Sequence, residues 1–268
     1  MGKEAAEALL GKIAVRYADI LKGNLAGIYV HGSLAFGCFC FDRSDIDFIV
    51  VTKRKIPLPL KCRLVQTLLD LTREAPAKGF EMSAVLSSFC NPFVYPTPFE
   101  IHYSDAYRDA ARENLQAYCR KMHGTDKDLA AHFTVIHKTG YALTGAPIEE
   151  VFREVPRRAY LDSILQDIDG AEREILKDPV YFLLNMCRVA AYVEEGLVLS
   201  KKRGGEWGTE KFPAYASLFR MALKSYRGEE CAPFDERELK ACASFLLGRI
   251  GEEKKNLRSL GSYKNTKR

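Results

Sequence analysis

Residues 29–51 read YVHGSLAFGCFCFDRSDIDFIVV, and this stretch decides the fold. Gly27–Val30 and Asp47–Val51 are predicted strands, the second following Ile46 with the apolar run Phe48, Ile49, Val50 and Val51. Between them lies a tight turn of small residues, Gly32-Ser33, and a short connection. Side chains two apart on a strand share a face, so Asp45 and Asp47 are expected side by side. Carboxylates that close repel unless a cation lies between them. A hard divalent ion, magnesium first, fits best, because it takes oxygen ligands and shares them with substrate phosphates. Gly32 lets the backbone approach a phosphate, and the Ser33 hydroxyl with backbone N–H groups at a helix start favours an anion. The pattern predicts nucleotide chemistry.

The bulk properties agree with a folded, water-borne protein. The chain has 268 residues, 47% hydrophobic and 28% charged, enough for one large domain or two ordinary ones. No apolar run approaches the roughly 20 residues that span a bilayer. The N-terminal segment places Leu9, Leu10, Ile13, Tyr17, Ile20 and Leu21 at helical spacing among charges, which is not the pattern of a secretion signal. Eight cysteines are scattered without a CxxC pair, as suits free thiols in a reducing compartment. These features predict a cytoplasmic protein with no membrane partner. Six of the basic residues behind the net charge of +5 lie between Lys254 and Arg268, and that stretch reads as a solvated, flexible tail.

Texture changes along the chain. The first half alternates: Val65–Arg73 is predicted helical, Phe80–Leu86 a third strand, and helices follow around Ala106–Arg120 and Asp128–Thr144. Pro92, Pro96 and Pro98 exclude a central strand or helix from the intervening loop. The second half carries helical stripes over Tyr160–Leu176, Val180–Glu195 and Glu238–Arg249 and no convincing strand. The expectation is an α+β domain over residues 1–156, followed by an all-helical bundle over residues 157–268.

Glu81 supplies a third acid. A neighbouring strand in the same sheet would bring it beside Asp45 and Asp47, as two-metal phosphoryl or nucleotidyl transfer requires. The residues alone leave open a second reading, an acid facing solvent at a strand start.

His31-Gly32-Ser33, Gly37 and Ser44-Asp45-Ile46-Asp47 resemble the GS…DxD signature of the polymerase β-like nucleotidyltransferases. Further along, Phe80-Glu81-Met82-Ser83, Tyr95-Pro96, Asp128-Leu129-Ala130 and Leu143-Thr144-Gly145 resemble successive landmarks of the aminoglycoside (3'')(9) adenylyltransferases. In the helical half Asp178, Arg188, Lys201, Trp207-Gly208 and Tyr226-Arg227-Gly228 continue that resemblance. It covers about nine-tenths of the chain and implies an N-terminal polymerase β-like nucleotidyltransferase domain with a C-terminal helical domain.

The resemblance also implies roles. Asp45, Asp47 and Glu81 would hold magnesium, two ions in such sites, with Glu81 also the catalytic base. Ser33, Ser44, Lys201 and Tyr226 would bind ATP. Tyr107, Asp128, Glu174 and Asp178 would meet the acceptor, an aminoglycoside-type antibiotic that receives AMP as pyrophosphate leaves. Relatives active on streptomycin carry a tryptophan where this chain has Asp169, which points to spectinomycin as acceptor. The implied protein is a monomer that handles small molecules and no nucleic acid. Two rival readings draw on the same acids: transfer to RNA ends or to a protein hydroxyl, and a non-catalytic nucleotide-binding relative.

Overall fold

The computed structural model describes residues 2–264, with side chains to residue 252. The basic side chains of the expected tail therefore lie outside the described residues. The chain divides into two compact units, Met1–Ser163 and Ile164–Arg268.

The first unit is built on a five-stranded sheet in the order β5-β3-β2-β1-β7. Helix α1 (Gly2–Leu21) leads into β1 (Leu25–Val30), the short α2 (Gly32–Ala35) and β2 (Ile46–Thr52). Every residue of β2 is buried, as befits a central strand covered on both faces. β2 and β3 (Phe80–Leu86) run parallel, so a crossover must join them, and α3 (Leu58–Leu71) provides it. Pro57 and Pro59 sit at the start of this helix, where a missing N–H costs nothing. The apolar stripe of α1 packs with α3 over the sheet, and the buried Tyr17 hydroxyl donates to the Leu64 carbonyl at 3.1 Å.

After β3 come α4 (Ser87–Cys90), β4 (Thr97–Phe99), β5 (Ile101–Tyr103), α5 (Arg108–Glu113), α6 (Leu115–Lys121) and β6 (Gly124–Asp126). β4 and β6 form a separate two-stranded sheet, so Pro98 lies in a strand but not in a central one. The single helix expected over Ala106–Arg120 is instead a turn of 3-10 helix and two α-helices. Asn114 makes the break, its side chain accepting the Ala117 N–H at 2.9 Å to start α6. The helix expected over Asp128–Thr144 is also shorter. α7 (Leu129–Thr139) ends as the Gly140 N–H closes on the Val135 and Ile136 carbonyls, and β7 (Tyr141–Gly145) then pairs with the open edge of β1. The short α8 (Ile148–Val151) and α9 (Arg157–Gln166) follow, and the division between units falls within α9.

The second unit contains α10 (Ala171–Glu174), α11 (Pro179–Glu195), α12 (Lys201–Lys211), α13 (Ala216–Tyr226) and α14 (Glu236–Lys264). No strand occurs in it among the described residues. The stripe expected to run unbroken over Tyr160–Leu176 is interrupted between α9 and α10, where Gly170 turns the chain with φ +74°. α11 is the buried centre of this unit, and α12 lies close against it through a glycine face. A Cβ on Gly205 would stand 2.6 Å from Leu184 Cδ2, and one on Gly208 2.5 Å from Cys187 Sγ. Among the described residues no helix is long and apolar enough to cross a membrane.

Candidate active site

The parallel pairing of β2 and β3 sets Asp47 directly beside Glu81 and Ile46 beside Phe80. Paired residues present their side chains on the same face, so the two carboxylates are neighbours by register. Asp45 precedes β2 by one residue and points to the same place. One ligand atom from each of Asp45, Asp47 and Glu81 lies within 4.8 Å of the others. Asp47 is 9% exposed, while Asp45 and Glu81 are part-exposed at the rim.

The turn before β2 is shaped around this cluster. Gly32 adopts φ +61°, and a Cβ there would fall 1.7 Å from Asp47 Oδ2. Only the missing side chain lets Asp47 reach its position. Backbone bonds hold the turn: the His31 N–H donates to the Asp47 carbonyl at 3.1 Å and the Cys38 N–H to the Ser33 carbonyl at 3.0 Å. Ser33 Oγ is buried without a hydrogen-bond partner. A buried hydroxyl in that state needs a ligand to complete it. Ser44 is 5% exposed, and its Oγ accepts the Cys40 N–H at 3.1 Å, which closes the connecting loop while leaving the Ser44 proton to donate.

The donor set fits magnesium: three carboxylates and no sulfur. Burial pushes the Glu81 carboxyl up from its ordinary range. His132 opposes that push, and Asp45, Asp128 and Asp126 add to it. A carboxyl so crowded by negative charge is stabilised by a bound cation.

A second layer lies against the acids, and apart from Asp128 its members were not among the site residues expected from sequence. His132 on α7 reaches Asp128 Oδ2 at 3.3 Å with Nε2, and Glu81 Oε1 at 3.7 Å with the same nitrogen. Burial alone would lower His132, but Asp128, Glu81 and Asp47 outweigh it and push it up to about 10. His31 lies against it, ring centroids 4.4 Å apart, and is held well below the usual histidine range by burial and by His132. Asp126 Oδ1 accepts the Asp128 N–H at 2.8 Å, and Ser163 donates to Asp128 Oδ1 at 3.3 Å. One sequence signal pointed to His132: it stands four residues after Asp128 on the helix that begins at a landmark position, one helical turn away.

The remaining candidates divide between the units. Tyr107 is 42% exposed and meets the rings of His102 and Tyr118 edge-on or tilted. In the second unit, Lys201 opens α12 with Nζ 5.0 Å above the Tyr181 ring, and Tyr226 ends α13. Asp178 caps α11, its carboxylate accepting the Tyr181 N–H at 3.0 Å. Glu174 pairs with Lys177 at 2.6 Å. Arg188 is tied within its own unit, donating to the Leu199 carbonyl at 2.9 Å and to Asn185 at 2.8 Å.

Comparison with known proteins bears on the fold and on similar sequences. Residues 150–249 match the family described as aminoglycoside adenylyltransferase, C-terminal domain. The spectinomycin 9-adenylyltransferase of Enterococcus faecalis is 24% identical over 78% of this chain and 82% of its own length. That of Campylobacter jejuni is 23% identical over 87% and 91%. The chain is similar to these spectinomycin 9-adenylyltransferases over most of its length. A crystal structure of the Enterococcus spectinomycin adenyltransferase with ATP and spectinomycin superposes with a TM-score of 0.76. At 18% identity it covers 91% of this chain and 98% of its own, and it establishes the shared fold.

Proposed function

We propose that this chain is a magnesium-dependent adenylyltransferase that moves AMP from ATP to a hydroxyl of spectinomycin. The observation that supports it most is the convergence of Asp45, Asp47 and Glu81 within 4.8 Å beneath a turn that carries an unpartnered Ser33 hydroxyl. The names of the relatives supply the acceptor.

In this reading Asp45, Asp47 and Glu81 hold magnesium, two ions in the fully loaded site. The metal would neutralise charge on the triphosphate and on the transition state. Ser33 and Ser44 donate to phosphate oxygens, Lys201 adds a positive charge, and Tyr226 holds the nucleotide. Glu81 takes the proton of the acceptor hydroxyl as that oxygen bonds to the α-phosphorus. The bond from the α-phosphorus to the bridging oxygen breaks in line, and pyrophosphate leaves with its electron pair. Spectinomycin is a cation, and Asp128 with Asp126 supplies opposite charge beside Glu81. Asp128 carries most weight among the acceptor residues; Tyr107, Glu174 and Asp178 complete the proposed set. ATP supply and the free thiols support a reaction in the cytoplasm, and the division at residues 156/157 is the proposed domain boundary.

The test is acceptor-dependent pyrophosphate release. Purified protein with ATP and magnesium, offered spectinomycin, streptomycin and a tRNA in parallel, is expected to release pyrophosphate with spectinomycin. Transfer of AMP to the tRNA with neither antibiotic used would overturn the proposal.

A further inference from the structure

The reaction described above uses Glu81 but gives no reason why its carboxylate stays at the metal cluster. Glu81 lies near the start of β3 with its side chain 30% exposed, and two other carboxylates sit within 4.8 Å of it. Like charge pushes it outward, and a glutamate has three rotatable bonds through which to swing away. Something must hold it from the other side.

The holding group is His132. Its side chain is 16% exposed, and Nδ1 is buried with no partner, so the polar contacts of the ring run through Nε2. That nitrogen lies 3.3 Å from Asp128 Oδ2 and 3.7 Å from Glu81 Oε1. Asp128 stands one turn earlier on the same helix and fixes the imidazole edge. The His31 ring fixes its face, at 4.4 Å and 32° between planes. His31 is itself pinned, because its N–H donates to the carbonyl of Asp47, the strand partner of Glu81. The contacts form a closed frame from Asp47 through His31 and His132 to Glu81. We infer that His132 is a positioning residue: it aims the Glu81 carboxylate at the acceptor hydroxyl and the metal while touching neither.

This inference rests on the adenylyl-transfer reading, and its test separates the two. Three variants are compared: H132L, which keeps bulk without a donor; H132Q, whose amide N–H can reach the same oxygens; and E81Q. The expected result is a kcat about 10- to 100-fold lower in H132L, the usual cost of losing the partner that orients a site ligand. KM for ATP should stay within about threefold, since the loss falls on the chemical step. H132Q should recover most of kcat. A merely structural histidine predicts equal damage in both variants, following their unfolding midpoints. The second measurement needs neither metal nor acceptor: the ring 15N resonances of His132 in the metal-free protein, recorded in wild type, E81Q and D128N. Both substitutions should shift the Nε2 signal. A signal moved by D128N and left in place by E81Q would overturn the inference, as would H132L with wild-type kcat. A wild-type chain inert toward every acceptor would overturn the functional reading, and the ring signal alone would then decide whether His132 holds Glu81.

Discussion

Gly32 offers the sharpest perturbation of the site, because Gly37, five residues on, serves as its internal control. Both residues sit in the left-handed region, with φ +61° and +68°. A side chain at either costs about 1–2 kcal/mol through the backbone alone. Their surroundings differ completely. A Cβ on Gly37 meets nothing within 4 Å, whereas one on Gly32 falls 1.7 Å from Asp47 Oδ2 and 2.5 Å from its Cγ. Real Cβ contacts essentially never fall under 3.0 Å, so the carboxylate must retreat by at least 3.0 − 1.7 = 1.3 Å. Metal sites tolerate ligand displacements of about 0.2 Å. G37A should therefore unfold about 1–2 kcal/mol more easily in urea and keep its metal affinity and transfer rate. G32A should show a similar or somewhat larger loss of stability, because Asp47 gives way, and at least a 100-fold loss of transfer, about 2.7 kcal/mol at 1.36 kcal/mol per decade. Metal affinity, followed by the EPR signal of free manganese, should fall with it. Equal losses of activity and metal affinity in G32A and G37A would refute the reasoning, because they would mean that the cradle around Asp47 does nothing beyond its backbone angle.

Two further predictions follow from the same observations. Asp178→Ala removes the cap of α11 and should cost about 1 kcal/mol in urea unfolding. Asp178→Asn keeps the cap, so a raised KM for spectinomycin in that variant would isolate an acceptor role. The His31–His132 pair sets a pH optimum for the metal-free protein. His31 lies well below its ordinary value through burial and the neighbouring His132, so the unfolded chain takes a proton that the folded one refuses below about pH 6.5. Stability then falls with falling pH, by up to about 1.4 kcal/mol per pH unit. His132, pushed up to about 10 against its own burial by Asp128, Glu81 and Asp47, acts in the opposite direction. Its contribution is complete below about pH 6.5 and lost as pH rises towards 10. Urea midpoints should peak near pH 6.5, and H132L should flatten the fall between about pH 6.5 and 8.5, above which the buried thiols of Cys90, Cys119, Cys187 and Cys242 lower stability in either protein.

Much of the site was legible in the sequence because Asp47 and Glu81 are carried by strands and Asp45 stands one residue before β2. Asp45 and Asp47 keep their relation through local geometry alone, and Phe80–Leu86 has the strand bounds read from its apolar run. The parallel register that places Glu81 beside Asp47 is a tertiary fact, and spacing alone left it undecided. His132 was missed for a related reason. It is one of several residues on an apolar helix face, and only packing turns that face towards Glu81. Helix ends were the least legible. Tyr141–Gly145 continues a helical pattern, yet it becomes an edge strand because Gly140 stops α7 and β1 has an edge to satisfy. Asn114 and Gly170 broke two other helices by side-chain capping and by a left-handed turn, effects of one residue that hydrophobic periodicity averages away.

Glu81 and the two aspartates are proposed to carry the transfer of AMP from ATP to spectinomycin. Its most direct test follows ATP labelled at the α-phosphorus, with magnesium and spectinomycin, by mass spectrometry of the product in wild type and in E81Q. Labelled AMP should appear on spectinomycin with one pyrophosphate per transfer in wild type, and be abolished in E81Q while ATP binding persists. Label released as free AMP, or transferred equally well by E81Q, would contradict the account.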